Sequence, residues 1–322
     1  MNKILSLRKN IISVLSNLIT SDYVLLDIPD HNNIGDNLIW EGEIDYLSTL
    51  PFKNKGEYAY WCLEEKQQFS VPLLLFHGGG NFGDIYPEVN KKRISIILNN
   101  FDKRIVVFPQ SVYYNDHQVL KDDLNVLSTH PDLHICVRDE ESYNLLKDGG
   151  VEKVYLIPDM AFCIDFEKYF VKNSSTERTL YMRRKDKEID SSKDEKVLSL
   201  LSNAEVKDWP TFNISKNQHR IDYRKERYNK IVSKKLLQLP FLNKLVDTRY
   251  GLKSRYQREK YIKQGIAFFE DYDHIVTTRL HGLILAVLMN KQVSIVDNNN
   301  KKLTRFYNMW LKDFTNVKVL MP

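Results

Sequence analysis

Between Tyr23 and Phe162 short apolar runs alternate with longer stretches of helical periodicity, and every apolar run ends in a cluster of polar residues or glycine. Tyr23–Ile28 runs into a polar turn carrying His31, Asn33 and Asp36. Leu73–His77 ends in Gly78-Gly79-Gly80-Asn81-Phe82-Gly83-Asp84, and 104–108 ends in Pro109-Gln110-Ser111. The run 134–137 is followed by Arg138-Asp139, and 154–157 by Pro158-Asp159. Strands separated by helix-length stretches cannot pair as tight hairpins; they need crossovers, which give parallel sheets covered by helices. Ligands of open parallel sheets bind outside the carboxyl ends of the strands, and each of these clusters is predicted to lie at such an end. The expected intervening helices cover about 38–47, 87–101 and 140–148.

The second half repeats the pattern more loosely. A polar stretch at 171–176 predicts a linker, strands are expected at 179–184, 205–209, 273–276 and 292–296, and 185–193 reads as a loop. The strand 273–276 leads through Thr277-Thr278-Arg279-Leu280-His281-Gly282 into a helix-like run at 283–289. Backbone N–H groups at a helix start, the helix dipole and an arginine fork all favour an anion at that turn. A final amphipathic helix is expected over about 303–311. The 322 residues accommodate two α/β units, 1–170 and 171–322, with the last helix expected to pack back on the first.

The net charge of +5 is uneven. Residues 214–263 hold 15 Lys or Arg against 4 Asp or Glu, an excess of 11 that leaves the rest of the chain at −6. An apolar island, Leu236 to Leu242, interrupts this basic insert. A solvated basic helix pair with a core-packing insert and attachment to an anionic membrane are the two readings of such a segment. No nucleic-acid module accompanies the charge. Apolar positions at 4–19 predict a one-faced helix that packs on the domain, with a membrane-surface helix as the alternative. Three widely spaced cysteines, Cys62, Cys136 and Cys163, imply a reducing compartment. With no signal-peptide layout and no membrane-spanning run, the expectation is a cytoplasmic protein.

The glycine triplet matches neither the dinucleotide fingerprint nor the Walker phosphate loop. The ordered set His31-x-x-Ile34-Gly35-Asp36, Gly78 to Asp84, Pro109-Gln110-Ser111, Arg138-Asp139-x-x-Ser142, Pro158-Asp159-x-Ala161-Phe162, Arg279-Leu280-His281-Gly282 and the run from Asp297 to Lys302 resembles the polysaccharide pyruvyl transferase family. The resemblance implies two Rossmann-like parallel-sheet domains facing a cleft, as in GT-B glycosyltransferases. It also implies transfer of pyruvate from phosphoenolpyruvate to two sugar hydroxyls in capsule or exopolysaccharide synthesis, giving a cyclic ketal and phosphate. Phosphoenolpyruvate is the co-substrate, with no cofactor and no metal. Arg138, Arg279 and Lys302 are the expected donor cations, aided by Gly78, Gly79, Gly80 and Asn81; Lys301 is the one-residue alternative to Lys302. His281 is expected to move protons, and Asp36 to stabilise positive charge at C2. His31, Asn33, Asp84, Gln110, Ser111, Asp159 and Arg184 are expected to meet the acceptor or line the cleft. The acceptor implied is a sugar such as galactose, with an undecaprenyl-diphosphate-linked oligosaccharide as one form and peripheral contact with the inner membrane face as its corollary. The alternative is a nucleotide-sugar-dependent glycosyltransferase of the same overall fold.

Overall fold

The computed structural model describes residues 2–169, 177–184, 191–201, 203–213, 215–252, 257–297 and 302–320. The expected linker at 171–176, most of the loop at 185–193, and Lys301 lie outside them. A first sheet contains β1 (Tyr23–Ile28), β2 (Asn54–Ala59), β3 (Leu73–Phe76), β4 (Gly79–Gly83), β5 (Arg104–Tyr113), β6 (Leu133–Val137) and β7 (Val154–Leu156). All pairings are parallel, in the order β2-β1-β3-β5-β6-β7, with β4 paired to β5. Its helices are α1 (Asn2–Leu18), α2 (Ile34–Leu47), α3 (Pro87–Asn99), α4 (His117–Thr129) and α5 (Glu140–Asp148). A second parallel sheet has the order β12-β11-β10-β8-β9, from β8 (Thr179–Met182), β9 (Glu205–Lys207), β10 (His274–Thr277), β11 (Gln292–Ile295) and β12 (Val317–Val319). With it go α6 (Ser191–Leu200), α7 (Lys216–Leu237), α8 (Arg258–Glu270), α9 (Leu280–Leu288) and α10 (Lys302–Phe306). This is an α/β fold of two Rossmann-like sheets.

Each sheet has one place where the strand order reverses. After β2 the chain returns to the other side of β1 to form β3, and after β9 it returns to the other side of β8 to form β10. Crevices form at the carboxyl ends of strands at such switch points. The residues after β1 and β3, and those after β8 and β10, are therefore the ones the topology sets aside for a ligand.

Three local expectations are corrected. The helix expected at about 38–47 begins at Ile34, because Asn33 caps it: the Asn33 side chain accepts from Gly35 N at 3.0 Å. The glycine-rich segment is not only a turn, since Gly79–Gly83 pairs as a strand with β5, and Gly79 sits at φ +128°. Pro109-Gln110-Ser111 does not end its strand but lies inside β5. Proline has no N–H for a ladder, and the β5–β6 register shifts between Val107 and Gln110, where Pro109 is accommodated.

Helix α2 runs between the two sheets and is buried along nearly its whole length. Its buried acids are all partnered, as burial demands. Glu41 takes Arg258 at 2.6 Å, Glu43 takes His77 at 2.8 Å, and Asp45 pairs with Lys168. Helix α1 buries Leu7, Ile11, Leu15 and Leu18 in the core, which assigns it to domain packing. The C-terminal segment crosses back to the first sheet. Trp310 Nε1 donates to the Arg138 carbonyl at 2.9 Å, and Phe306 stacks on Phe162 at 6.4 Å.

Candidate active site

Both switch points open on one cleft of about 520 Å³. From the first sheet it is lined by His31, Asn33, Asp36, Gly78, Gly80, Asn81 and Arg138; from the second by Arg184, Arg279, His281 and Lys302. Eleven residues singled out in the sequence thus share one wall system, although they span from 31 to 302.

The α2 start sets the position of Asp36. Asn33 caps the helix with its oxygen and donates its Nδ2 to Asp36 Oδ2 at 2.7 Å, while His31 Nε2 lies 3.6 Å from the same oxygen. Helix α9 delivers His281 to the same place from the other sheet. A Cβ on Gly35 would stand 2.5 Å from His281 Nδ1, so only glycine there lets the imidazole lie against the α2 N-terminus.

His281 Nε2 lies 3.4 Å from Asp159 Oδ2 and 3.5 Å from Arg138 Nη1. Arg138 is buried: its Nη1 donates to Asp159 Oδ2 at 2.5 Å and its Nε to Ser111 Oγ at 3.0 Å. Burial works against the Asp159 charge, yet the Arg138 guanidinium and His281 hold its carboxyl well below the usual carboxylate range. A Cβ on Gly80 would sit 3.2 Å from Arg138 Nη2 and 3.6 Å from Lys302 Nζ, so two cationic groups converge on the space above that glycine. Such convergence suits an anion with more than one charge.

Five of the sequence candidates do not line the cleft. Asp159, expected to meet the acceptor or line the cleft, is fully buried against Arg138, whose charge it holds in place. Gln110 is likewise buried and donates to the His77 carbonyl at 2.8 Å, and Ser111 supports Arg138. Gly79 shapes the backbone of β4. Asp84 accepts from the backbone N–H groups of Asn115 and Asp116, closing a loop away from the cleft. Arg279 is held by Asp208 through two contacts, Nε–Oδ1 at 2.6 Å and Nη2–Oδ2 at 2.7 Å, and stands 5.1 Å over the Phe212 ring. Its carboxylate partner, buried Asp208, is an addition to the expected site.

Two further groups escaped the sequence reading. Asp27, the penultimate residue of β1, sits at φ +60° and binds Arg93 at 2.6 Å, and Arg93 in turn holds Asn81 Oδ1 at 2.7 Å. His77 directly precedes the glycine triplet and lines the cleft, with Nδ1 2.8 Å from Glu43 Oε2. A histidine at a strand end beside three glycines was the available signal.

The chain resembles known proteins along most of its length. It is 26% identical over 306 residues to EpsO of Bacillus subtilis, a protein named for pyruvyl transfer, covering 93% of this chain and 88% of that one. It is 27% identical over 310 residues to pyruvyl transferase 1 of Schizosaccharomyces pombe, covering 90% and 70%. A crystal structure of a Klebsiella pneumoniae protein of uncharacterised function superposes with a TM-score of 0.60 at 17% identity, covering 98% of each chain, and shares the fold. Residues 33–300 match the family described as polysaccharide pyruvyl transferase. The chain belongs to the polysaccharide pyruvyl transferase family and is an enzyme of pyruvyl transfer.

Proposed function

We propose that the enzyme takes its pyruvyl group from phosphoenolpyruvate and sets it as a cyclic ketal on two hydroxyls of a sugar such as galactose, in a bacterial capsule or exopolysaccharide intermediate. The observation that carries this reading is the convergence of Arg138, Arg279 and Lys302 on a cleft that also holds His281 and Asp36. Phosphoenolpyruvate brings a carboxylate and a phosphate, and a site for it needs several placed donors. Arg138, Lys302 and the Gly78-to-Asn81 backbone supply one group of them. Arg279, clamped by Asp208, supplies another. His281 exchanges protons with the reacting hydroxyl, and Asp36 stabilises positive charge as C2 loses its phosphate. Arg184 and His31 stand where an acceptor sugar enters. In the test, the purified chain is incubated with phosphoenolpyruvate and candidate glycans. The expected product is heavier than the acceptor by pyruvate less water, with an acid-labile ketal and one phosphate released per ketal. Phosphate release without such a product overturns the reading.

We further propose a lipid-linked acceptor reached at the cytoplasmic membrane face, through the end of the basic insert. The apolar island divides: Leu236 and Leu237 pack against the core, whereas Leu239, Phe241, Leu242 and Leu245 are exposed, Phe241 at 91%. They follow a helix whose last turn carries Lys234 and Lys235, and Lys244 lies among them. Among the described residues no helix is long and apolar enough to cross a membrane. Exposed apolar side chains among lysines suit the interface of an anionic bilayer. The full chain is expected to sediment with phosphatidylglycerol-containing vesicles. Changing Phe241 and Leu245 together to serine is expected to weaken that by at least about 10-fold, since each buried Phe or Leu contributes about 1.5–3 kcal/mol. Turnover of a soluble acceptor should be unchanged in that variant; equal vesicle binding by the two proteins refutes the assignment.

A further inference from the structure

Ketal formation has a proton balance that one imidazole does not cover comfortably. Two hydroxyls each lose a proton as two C–O bonds form at C2. One proton ends on C3, turning the methylene into a methyl, and the other leaves with phosphate when the C2–O bond breaks. His281 can handle one transfer at a time. Besides His31 at the α2 start, the cleft carries a further imidazole, that of His77.

His77 is 3% exposed and lines the cleft at the end of β3. Its Nδ1 lies 2.8 Å from Oε2 of Glu43, a residue with no exposed surface, and Glu43 Oε1 accepts from Gly78 N at 2.8 Å. Its Nε2 is buried and, among the described residues, has no hydrogen-bond partner. A buried polar atom without a partner is costly, and here the atom belongs to a cleft-lining ring whose other nitrogen is fixed by a carboxylate. An acid or base oriented by a third group is the arrangement proton transfer uses. The neighbouring charges agree in sign. Burial disfavours the charged ring, but Glu43, with Asp36 on the same helix and Asp27 near the end of β1, outweighs it and holds His77 above its ordinary value. Burial also pushes the Glu43 carboxyl up, opposed by His77 and the Gly78 N–H, so the 2.8 Å contact holds a proton between the two groups.

We propose that His77, oriented by Glu43, is a second catalytic residue of the pyruvyl transfer, giving its Nε2 proton to C3 of the donor. The proposal rests on the phosphoenolpyruvate reading above. In the balanced cycle His77 protonates C3 while the first hydroxyl adds to C2 and passes its proton to His281. Phosphate then departs with the proton from His281. The second hydroxyl adds to C2, and its proton restores His77. Glu43 takes no proton in this cycle; it is a positioning residue.

The test is a set of pH profiles for wild type, His77→Asn and Glu43→Gln, with thermal melting of each. Asparagine keeps a donor toward Glu43 and removes the titrating ring, so ketal formation should fall by about 100-fold or more with little change in KM for phosphoenolpyruvate. In Glu43→Gln the charge that raises His77 is gone. The rate depends on protonated His77, so it falls as pH rises, and that fall should move to lower pH. A merely structural role predicts lost melting temperature with the wild-type profile unmoved. Ketal formation by wild type together with wild-type rate and profile in both variants overturns the role of His77 alone. No ketal from wild type overturns the donor reading and this proposal with it.

Discussion

Replacing His281 by alanine is expected to lower ketal formation by about 100-fold or more, the range a positioned proton-transfer group contributes. Its imidazole reaches the cleft between the Asp159–Arg138 pair and the α2 N-terminus. The fold should survive, because Arg138 and Asp159 keep their direct 2.5 Å contact without the histidine. The comparison to make is single-turnover ketal formation beside a thermal melt. Turnover near the wild-type rate would remove His281 from the chemistry, whatever became of the melting temperature.

Arg138→Met is expected to give the largest loss of stability among the cleft variants, about 3–5 kcal/mol, because it leaves Asp159 buried without its cation. Urea unfolding reads this directly through the midpoint. The pH dependence has a definite sign. Asp159 is held below the usual carboxylate range, so its contribution is present above the unfolded carboxylate value of about 4 and disappears only as pH falls further, toward its folded value. The gap between wild type and variant should therefore narrow on acidification below about pH 4. A gap independent of pH would mean that the Arg138 side chain matters for its packing rather than its charge.

The parallel architecture was legible because each buried strand is a continuous apolar run, such as Leu73–Phe76, bounded by turn chemistry. β2 and β12 were not, and both are sheet edges. The sequence of β2, Asn54–Ala59, is largely polar and half exposed, so neither an apolar run nor a clean alternation marks it. In the site, Arg138, Arg279 and His281 stood out because strand-end position selects them one at a time, and Lys302 stood out only through the family resemblance. Their partners did not. Asp208 meets Arg279 across 71 positions and Glu43 meets His77 across 34, and only packing brings such residues together. Asp159 shows the same limit from the other side. A polar residue at a strand end reads as a ligand contact, whereas burial made it the support of Arg138.

The fit of His281 against Gly35 has a kinetic consequence. Gly35 belongs to a helix of the first sheet and His281 to a helix of the second, as do the two halves of the Asp159–His281 contact. Any swing of one sheet away from the other draws the imidazole off both surfaces at once. Under the proposed function, the reach of His281 to the reacting atoms would then depend on how firmly the two sheets are held together, and loosening them would disarm the site without touching a catalytic residue.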